Sequence, residues 1–259
     1  MRVVNSLVER CFAVVELLAY EASAMRLGEI AEKLGLQKSA AHRMLNVLCE
    51  IGWVEQEQVT GFYKLSLRLG ILGQRFLSAN RLTDVSQPVL EDLAAASAEL
   101  VRMAVIQGET LTWIAQVQGA KNGLKYQPDI VARVRLGSTA NGKAYLSTLP
   151  PKDALRIAIK SADDGQEGTI SSVEDLIKEL KLARKRGWAI SDAQTEPGVV
   201  AIAAPITLTG GPTVGTVSVA GPSSRLTVEQ YDSVASSVLV AAAKLGELWP
   251  LRQLRAKVN

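Results

Sequence analysis

Histidine occurs once and cysteine twice in these 259 residues, and that scarcity removes whole classes of chemistry. Zinc sites draw on clustered Cys and His, but His42 stands alone and neither Cys11 nor Cys49 has a metal-type partner nearby in sequence. A nucleophilic triad built on histidine fails on the same supply. Both cysteines fall on apolar helical faces, where a thiol behaves as a small hydrophobe, and nothing asks for a disulfide. No apolar run reaches the roughly 18 residues of a membrane-spanning helix. The opening MRVVNSLVER has no signal-peptide core, because Asn5, Ser6, Glu9 and Arg10 interrupt it. The expectation is a reduced, cytoplasmic protein with no metal, no cofactor and no membrane partner. Charge of either sign is also in short supply: Lys+Arg 29 against Asp+Glu 26 leaves +3, too little to announce a nucleic-acid partner by itself.

What is present begins with LGEIAEKLGLQKSAAHRMLNVLCEI, residues 27–51. Leu27, Ile30, Ala31 and Leu34 recur at helical spacing, and Gly35 follows where a positive φ ends a helix cheaply. Ala41, Met44, Leu45, Leu48 and Cys49 continue the period in a second helix. Its opening turn is polar and carries no acid: Gln37, Lys38, Ser39, His42 and Arg43. Two helices so joined fit an ordinary αα-corner or a helix-turn-helix reader of DNA. The next segment favours the reader. Residues 53–57 and 62–65 are short β-prone runs around Gly61, a hairpin whose Thr60 and Lys64 can lie along the DNA backbone as a wing. Ahead of the pair, Asn5 or Ser6 caps a helix with an apolar stripe of Leu7, Cys11, Val14 and Leu18. A three-helix core plus wing closes a first domain over residues 1–65.

Leu65, Leu69, Leu72 and Phe76 then form a stripe on a linker helix over residues 66–80, which has to pack either on the chain's own second domain or in a dimer seam. A further helical stretch shows Leu82, Val85, Val89, Leu93 and Ala96. The remainder, residues 81–259, has α/β texture. A hairpin is expected from residues 101–106 and 111–117, with Leu111, Trp113, Ala115 and Val117 on one buried face. Residues 131–136 make a candidate strand, and residues 199–208 and 213–220 make clear ones. Helix starts are readable at Ser172 and at Thr227, where Thr227 and Gln230 fit a capping box. Hairpins with helices over one face give an α+β sensor-like domain.

Within it, Gly137-Ser138-Thr139-Ala140-Asn141-Gly142-Lys143 matches the spacing of a nucleotide-binding loop, but Ala144 stands where the Mg²⁺-ligating hydroxyl belongs. A P-loop-like ATPase with a helix-turn-helix adaptor is thus the alternative reading. A loop of this kind opening a helix also suits a carboxylate, held by backbone amides.

In order along the chain, GLQKSAAHRML, Tyr63-Lys64-Leu65, TANGKAYLSTLP, RGWAISDAQTEPGVVAIAAPI and GTVSVAGPSSR resemble the IclR family of bacterial transcriptional regulators. The resemblance implies an α+β two-domain protein with a winged helix-turn-helix, a linker helix and a GAF-like antiparallel-sheet effector domain. It further implies no enzymatic activity, homodimers or homotetramers, and double-stranded operator DNA and a small organic-acid effector as partners. Gln37, Lys38, Ser39, His42 and Arg43 match the family's DNA-facing positions, while Ala40 replaces a usual Thr. Ala140 and Asn141, with Gly142, match the ligand loop. Ser218, Ser191 and Ala201 match strand positions of the ligand site, Ala220 replaces a polar residue, and Gln194 replaces a commonly acidic one. Fewer polar anchors imply a larger or more apolar ligand than a two- or three-carbon acid.

Overall fold

The computed structural model describes residues 6–21, 23–80, 82–128, 134–163 and 172–252. They form two compact units, residues 1–79 and 80–259.

The first unit starts with α1 (Leu7–Glu21), α2 (Leu27–Lys33) and α3 (Lys38–Glu50). Ser6 caps α1: its hydroxyl accepts from the Glu9 amide at 3.1 Å while its own amide donates to the Glu9 carboxylate at 3.1 Å. Asn5, the other cap considered, lies outside the described residues. Val14, Leu18, Ile30, Leu45 and Leu48 meet in one core, closed by Val54 and Tyr63 from a hairpin of β1 (Val54–Gln56) and β2 (Tyr63–Leu65). Gly35 and Gly61 take the positive φ their turns need, 62° and 71°. Met25 exchanges two backbone hydrogen bonds of 2.8 Å with Tyr63, so the chain entering α2 is stitched to the wing.

Leu65 belongs to β2, not to the linker helix as its spacing implied; the stripe starts at Leu69 on α4 (Arg68–Asn80). Leu69 is half-buried, and Leu72 and Phe76 are 42% and 69% exposed. The base of α4 is held by Arg68, which stacks 5.3 Å over Trp53 and donates to the Ile51 carbonyl.

The second unit opens with α5 (Leu82–Ser97). Its buried face is Ser86, Val89, Leu90, Leu93 and Ala94; Ala96, placed on the stripe by spacing, is exposed. The sheet follows: β3 (Leu100–Gln107), β4 (Thr110–Gln118), β5 (Ala189–Asp192), β6 (Val199–Thr207) and β7 (Thr213–Pro222), all antiparallel in the order β4-β3-β7-β6-β5. Residues 134–136 are not strand, and residues 129–133 lie outside the described set.

Two expectations for this sheet fail. Helices cover both faces rather than one. On one face α5 and α9 (Tyr231–Leu248) bury Val101, Met103, Val200, Ile202, Ile206, Val217 and Val219. On the other lie α6 (Ala140–Leu146), α7 (Pro151–Asp163) and α8 (Val173–Arg186). The alternation along β4 also breaks, because a bulge lets Met103 face Ala115 while Ala104 faces Trp113. Leu111 and Trp113 therefore pack with the α6–α8 layer, whereas Ala115 and Val117 pack with α5 and α9.

Helix ends follow the sequence signals. Ser172 caps α8, accepting from the Asp175 amide at 3.0 Å, and Gly187 closes it with φ 82°. At Thr227 the capping box forms, yet it caps a short 3₁₀ turn, Val228–Gln230, from which α9 starts at Tyr231. α9 sits so close to β6 that a Cβ on Gly246 would lie 2.3 Å from the Thr207 carbonyl oxygen.

A polar triangle around a buried lysine ties α6 to its surroundings. Lys143, 1% exposed, donates to the Glu179 carboxylate of α8 at 2.8 Å and to the Gln194 side-chain carbonyl beyond β5. Gln194 in turn donates to Glu179 at 2.8 Å. Desolvation lowers the Lys143 pKa, and Glu179 pulls it back upward. With a native pKa below the ordinary 10.5, the unfolded chain holds the extra proton in between, so this group makes stability rise with pH through that window. Glu179→Gln removes the anion and deepens the depression. Its cost, about 1–3 kcal/mol at neutral pH, should shrink as pH rises past 10.5, where the lysine is neutral in both states. Urea titrations of both proteins at several pH values check this; a pH-independent cost would show that the ion pair is not the cause.

Candidate functional site

In the first unit the site is the opening of α3. Gln37 precedes the helix in extended conformation, φ −67° and ψ 139°, and Lys38 is its first residue. Gln37, Lys38, Ser39, His42 and Arg43 are all exposed, while Ala41, Met44, Leu45 and Leu48 are buried. The helical period thus turns every candidate reading residue outward from a helix anchored by its other face. The wing candidates are more occupied: Lys64 lies 3.7 Å from Glu55, and the Thr60 hydroxyl donates to Glu57 and accepts from the Phe62 amide at 3.2 Å. Arg26, overlooked in the sequence, stands beside them, its guanidinium 5.0 Å over the Phe62 ring.

In the second unit the site is built by the sheet face beneath α6. Side chains alternate across a strand, so β7 sends Val217 and Val219 to the α9 side and Thr216, Ser218 and Ala220 to the α6 side. Register aligns these residues into rows. Ser191, Ala201 and Ala220 form one, and Ala203, Ser218 and Arg102 the next. This face is paved with small residues, and Ala140 and Ala144 of α6 pack directly on Ala189, Ala201 and Ala203. The seven candidate residues therefore gather in one region: Ala140, Asn141 and Gly142 from α6, Ser191 from β5, Ala201 from β6, Ser218 and Ala220 from β7.

Their roles divide on inspection. The first turn of a helix leaves its amides without intrahelical acceptors. Gly142's amide is taken by the capping Thr139 hydroxyl at 3.0 Å, leaving those of Ala140 and Asn141 without a backbone acceptor among the described residues. Gly142 serves packing instead, since a Cβ there would stand 2.4 Å from the Leu136 backbone. The Asn141 side chain donates to the Thr216 hydroxyl at 3.0 Å, and Ser191 donates to the Ser138 carbonyl at 2.8 Å. Both fix the loop on the sheet. The Ser138 hydroxyl is buried with no hydrogen-bond partner among the described residues.

Several neighbours escaped the sequence reading. Arg102, 7% exposed, stacks 3.8 Å over the Trp113 ring beside Ser218. Tyr126 approaches from the segment after β4, its pKa pushed up to about 12 by burial and by the Glu196 carboxylate. Lone polar residues in apolar strands were the available signal for Arg102; Tyr126 offered none. The nucleotide-binding alternative ends here too. Lys143, which such a loop would aim at phosphates, is buried and engaged with Glu179 and Gln194.

Comparison with known proteins agrees with both halves. Residues 7–58 match the IclR helix-turn-helix domain, and residues 74–247 match the bacterial transcriptional regulator IclR C-terminal domain. The glycerol operon regulatory protein of Streptomyces griseus is 31% identical over 91% of this chain and 91% of its own length. The transcriptional repressor IclR of Escherichia coli (strain K12) is 26% identical over 91% of this chain and 87% of its own. Among solved structures, an IclR homolog complexed with 4-hydroxybenzoate from Microbacterium hydrocarbonoxydans superposes with a TM-score of 0.78 at 20% identity, covering 95% of this chain and 100% of that one. At that identity the likeness speaks for the fold alone. Family models over most of the chain, in the order the fold requires, leave one conclusion: the chain belongs to the IclR family of bacterial transcriptional regulators, which are transcription factors and not enzymes.

Proposed function

We propose that this regulator acts in the cytoplasm as a ligand-responsive homodimer, or a tetramer built from such dimers. In this reading residues 1–65 bind double-stranded operator DNA, residues 66–80 join subunits, and residues 81–259 form a GAF-like domain that binds the effector. Gln37, Lys38, Ser39, His42 and Arg43 enter the major groove, with Thr60 and Lys64 at the backbone. The effector is a small organic acid with an apolar or aromatic body. The amides of Ala140 and Asn141 receive its carboxylate, Ser218 offers a hydroxyl, and Ala201 and Ala220 leave room for the body. The observation that carries this reading is the small-residue sheet face under α6, set beside two first-turn amides. The 4-hydroxybenzoate held by the Microbacterium homolog supports an aromatic acid as the class.

For regulation, the ligand has to bind one arrangement of the DNA heads better than another, since equal affinity shifts nothing. A thermal-shift screen of aliphatic and aromatic carboxylates, 4-hydroxybenzoate among them, should yield acids that stabilise the protein and change its affinity for genomic fragments selected by binding. Ser218→Ala, a nearly volume-neutral change, should weaken that response about tenfold, the worth of one hydrogen bond to a charged group, and leave ligand-free DNA binding unchanged. A full response in Ser218→Ala would place the pocket elsewhere.

Assembly has its own test. The exposed apolar stripe of α4 supports a seam between subunits in which Leu69, Leu72 and Phe76 are covered. Leu69→Glu with Leu72→Glu puts charges into that seam. Sedimentation velocity should then report dissociation, and binding to a two-half-site fragment should collapse. An unchanged oligomer would mean that the subunits join through other surfaces.

A further inference from the structure

We propose that Arg26 takes one backbone phosphate on the flank of the reading helix, with the wing's Phe62 holding the guanidinium in place. The inference rests on the DNA-binding reading and adds to it a contact that no helix pattern announced.

Three elements converge at this point. Arg26 immediately precedes α2, and the Met25–Tyr63 backbone bridge places it against the wing. There its guanidinium lies 5.0 Å over the Phe62 ring, a stack that orients a planar cation and leaves its edge for acceptors. Lys38, the first residue of α3, folds back over the start of α2: its Cε and Nζ lie 3.6 and 3.9 Å from where a Cβ on Gly28 would stand. Arg26 and Lys38 are thus two exposed cations at the start of α2. Among the described residues neither forms an ion pair, although acids are close. Glu29 spends its carboxylate on the Arg26 backbone amide at 3.0 Å, Glu57 on Thr60, and Glu55 on Lys64. An exposed cation that no carboxylate pairs gains from an approaching anion. Beside a helix whose exposed face reads DNA, the anion of the right kind is a backbone phosphate, for which a guanidinium fork is a fitting donor.

The test uses the full-length protein and two labelled duplexes, a fragment recovered by genomic selection and a scrambled version of it. Affinity is measured by anisotropy between about 50 and 200 mM salt. Each phosphate contact contributes about 0.9 to the slope of log affinity against log salt, so Arg26→Gln should lower the slope by about that amount. The advantage of the unaltered protein over the variant should then shrink about threefold across the range, equally on both duplexes. Arg26→Lys should keep the slope, and Arg43→Ala should instead erode the preference for the selected fragment. An unchanged slope in Arg26→Gln, with an unchanged melting temperature, overturns the grip. A loss confined to the selected duplex overturns it as well, by making Arg26 a base reader. An unaltered protein that binds both duplexes alike would refute operator reading while the slope still decides the clamp; one that binds neither refutes both.

Discussion

α6 can lie on the sheet only because the strands beneath it present alanine, serine and threonine on that face, and the rest of the second unit follows from this close seating. Large branched residues occupy the opposite face, where α5 and α9 supply a conventional apolar core. Under α6 the packing partners shrink to Ala189, Ala201 and Ala203, and the helix brings Ala140 and Ala144 to meet them. Gly142 extends the same logic at the Leu136 backbone, where no Cβ fits. Small residues on both sides let backbone approach backbone, and a backbone brought close can offer amides where side chains would otherwise intervene. In the proposed reading packing and recognition are thus one constraint: enlarging the face would lift the helix and withdraw its donors.

A helix of seven residues has little stability of its own. Its position is set by polar ties, each satisfied, although burying the Lys143 ammonium still costs something. Thr139 caps the first turn, Asn141 bonds Thr216, and Lys143 carries the far side through Glu179 and Gln194. Burying an ammonium is unfavourable unless it is paired, which is why desolvation leads the causes lowering its pKa even with Glu179 at 2.8 Å. The lysine that matched a nucleotide-binding pattern is therefore structural cement. The pattern was real and its chemistry was not, because spacing says nothing about which way a side chain is committed.

Much of this was legible because periodicity is local. The outward set from Gln37 to Arg43 and the inward set from Ala41 to Leu48 follow from 3.6 residues per turn, and the strand alternation of β7 separated Ser218 from Val217 and Val219. The failures have an equally physical origin. Leu65 fitted a helical stripe by spacing while its backbone was paired in β2. The bulge at Met103/Ala104 slipped the period of β4 by one residue, which moves every later side chain to the other face. Glu179 is 36 residues from Lys143, and Arg26 reaches Phe62 only through the Met25–Tyr63 bridge. Contacts of that kind depend on topology, and no window on the sequence contains them.

Charge in the DNA head shows the same distinction between inventory and placement. Counted by sequence, its acids nearly cancel its bases. In the folded unit five of its eight acids have internal partners: Glu9 the Ser6 cap, Glu21 Lys33, Glu29 the Arg26 amide, Glu55 Lys64 and Glu57 Thr60. Lys38, His42 and Arg43 remain on an exposed face with no acid in the opening turn of their helix. A polyanion responds to the local potential within a Debye length, roughly 8–10 Å at ordinary salt, and not to the sum over the chain. Spending the carboxylates on caps and turns therefore does two jobs with the same residues. It holds the caps and turns of a small three-helix domain, and it leaves the opening turn of α3 without an acid.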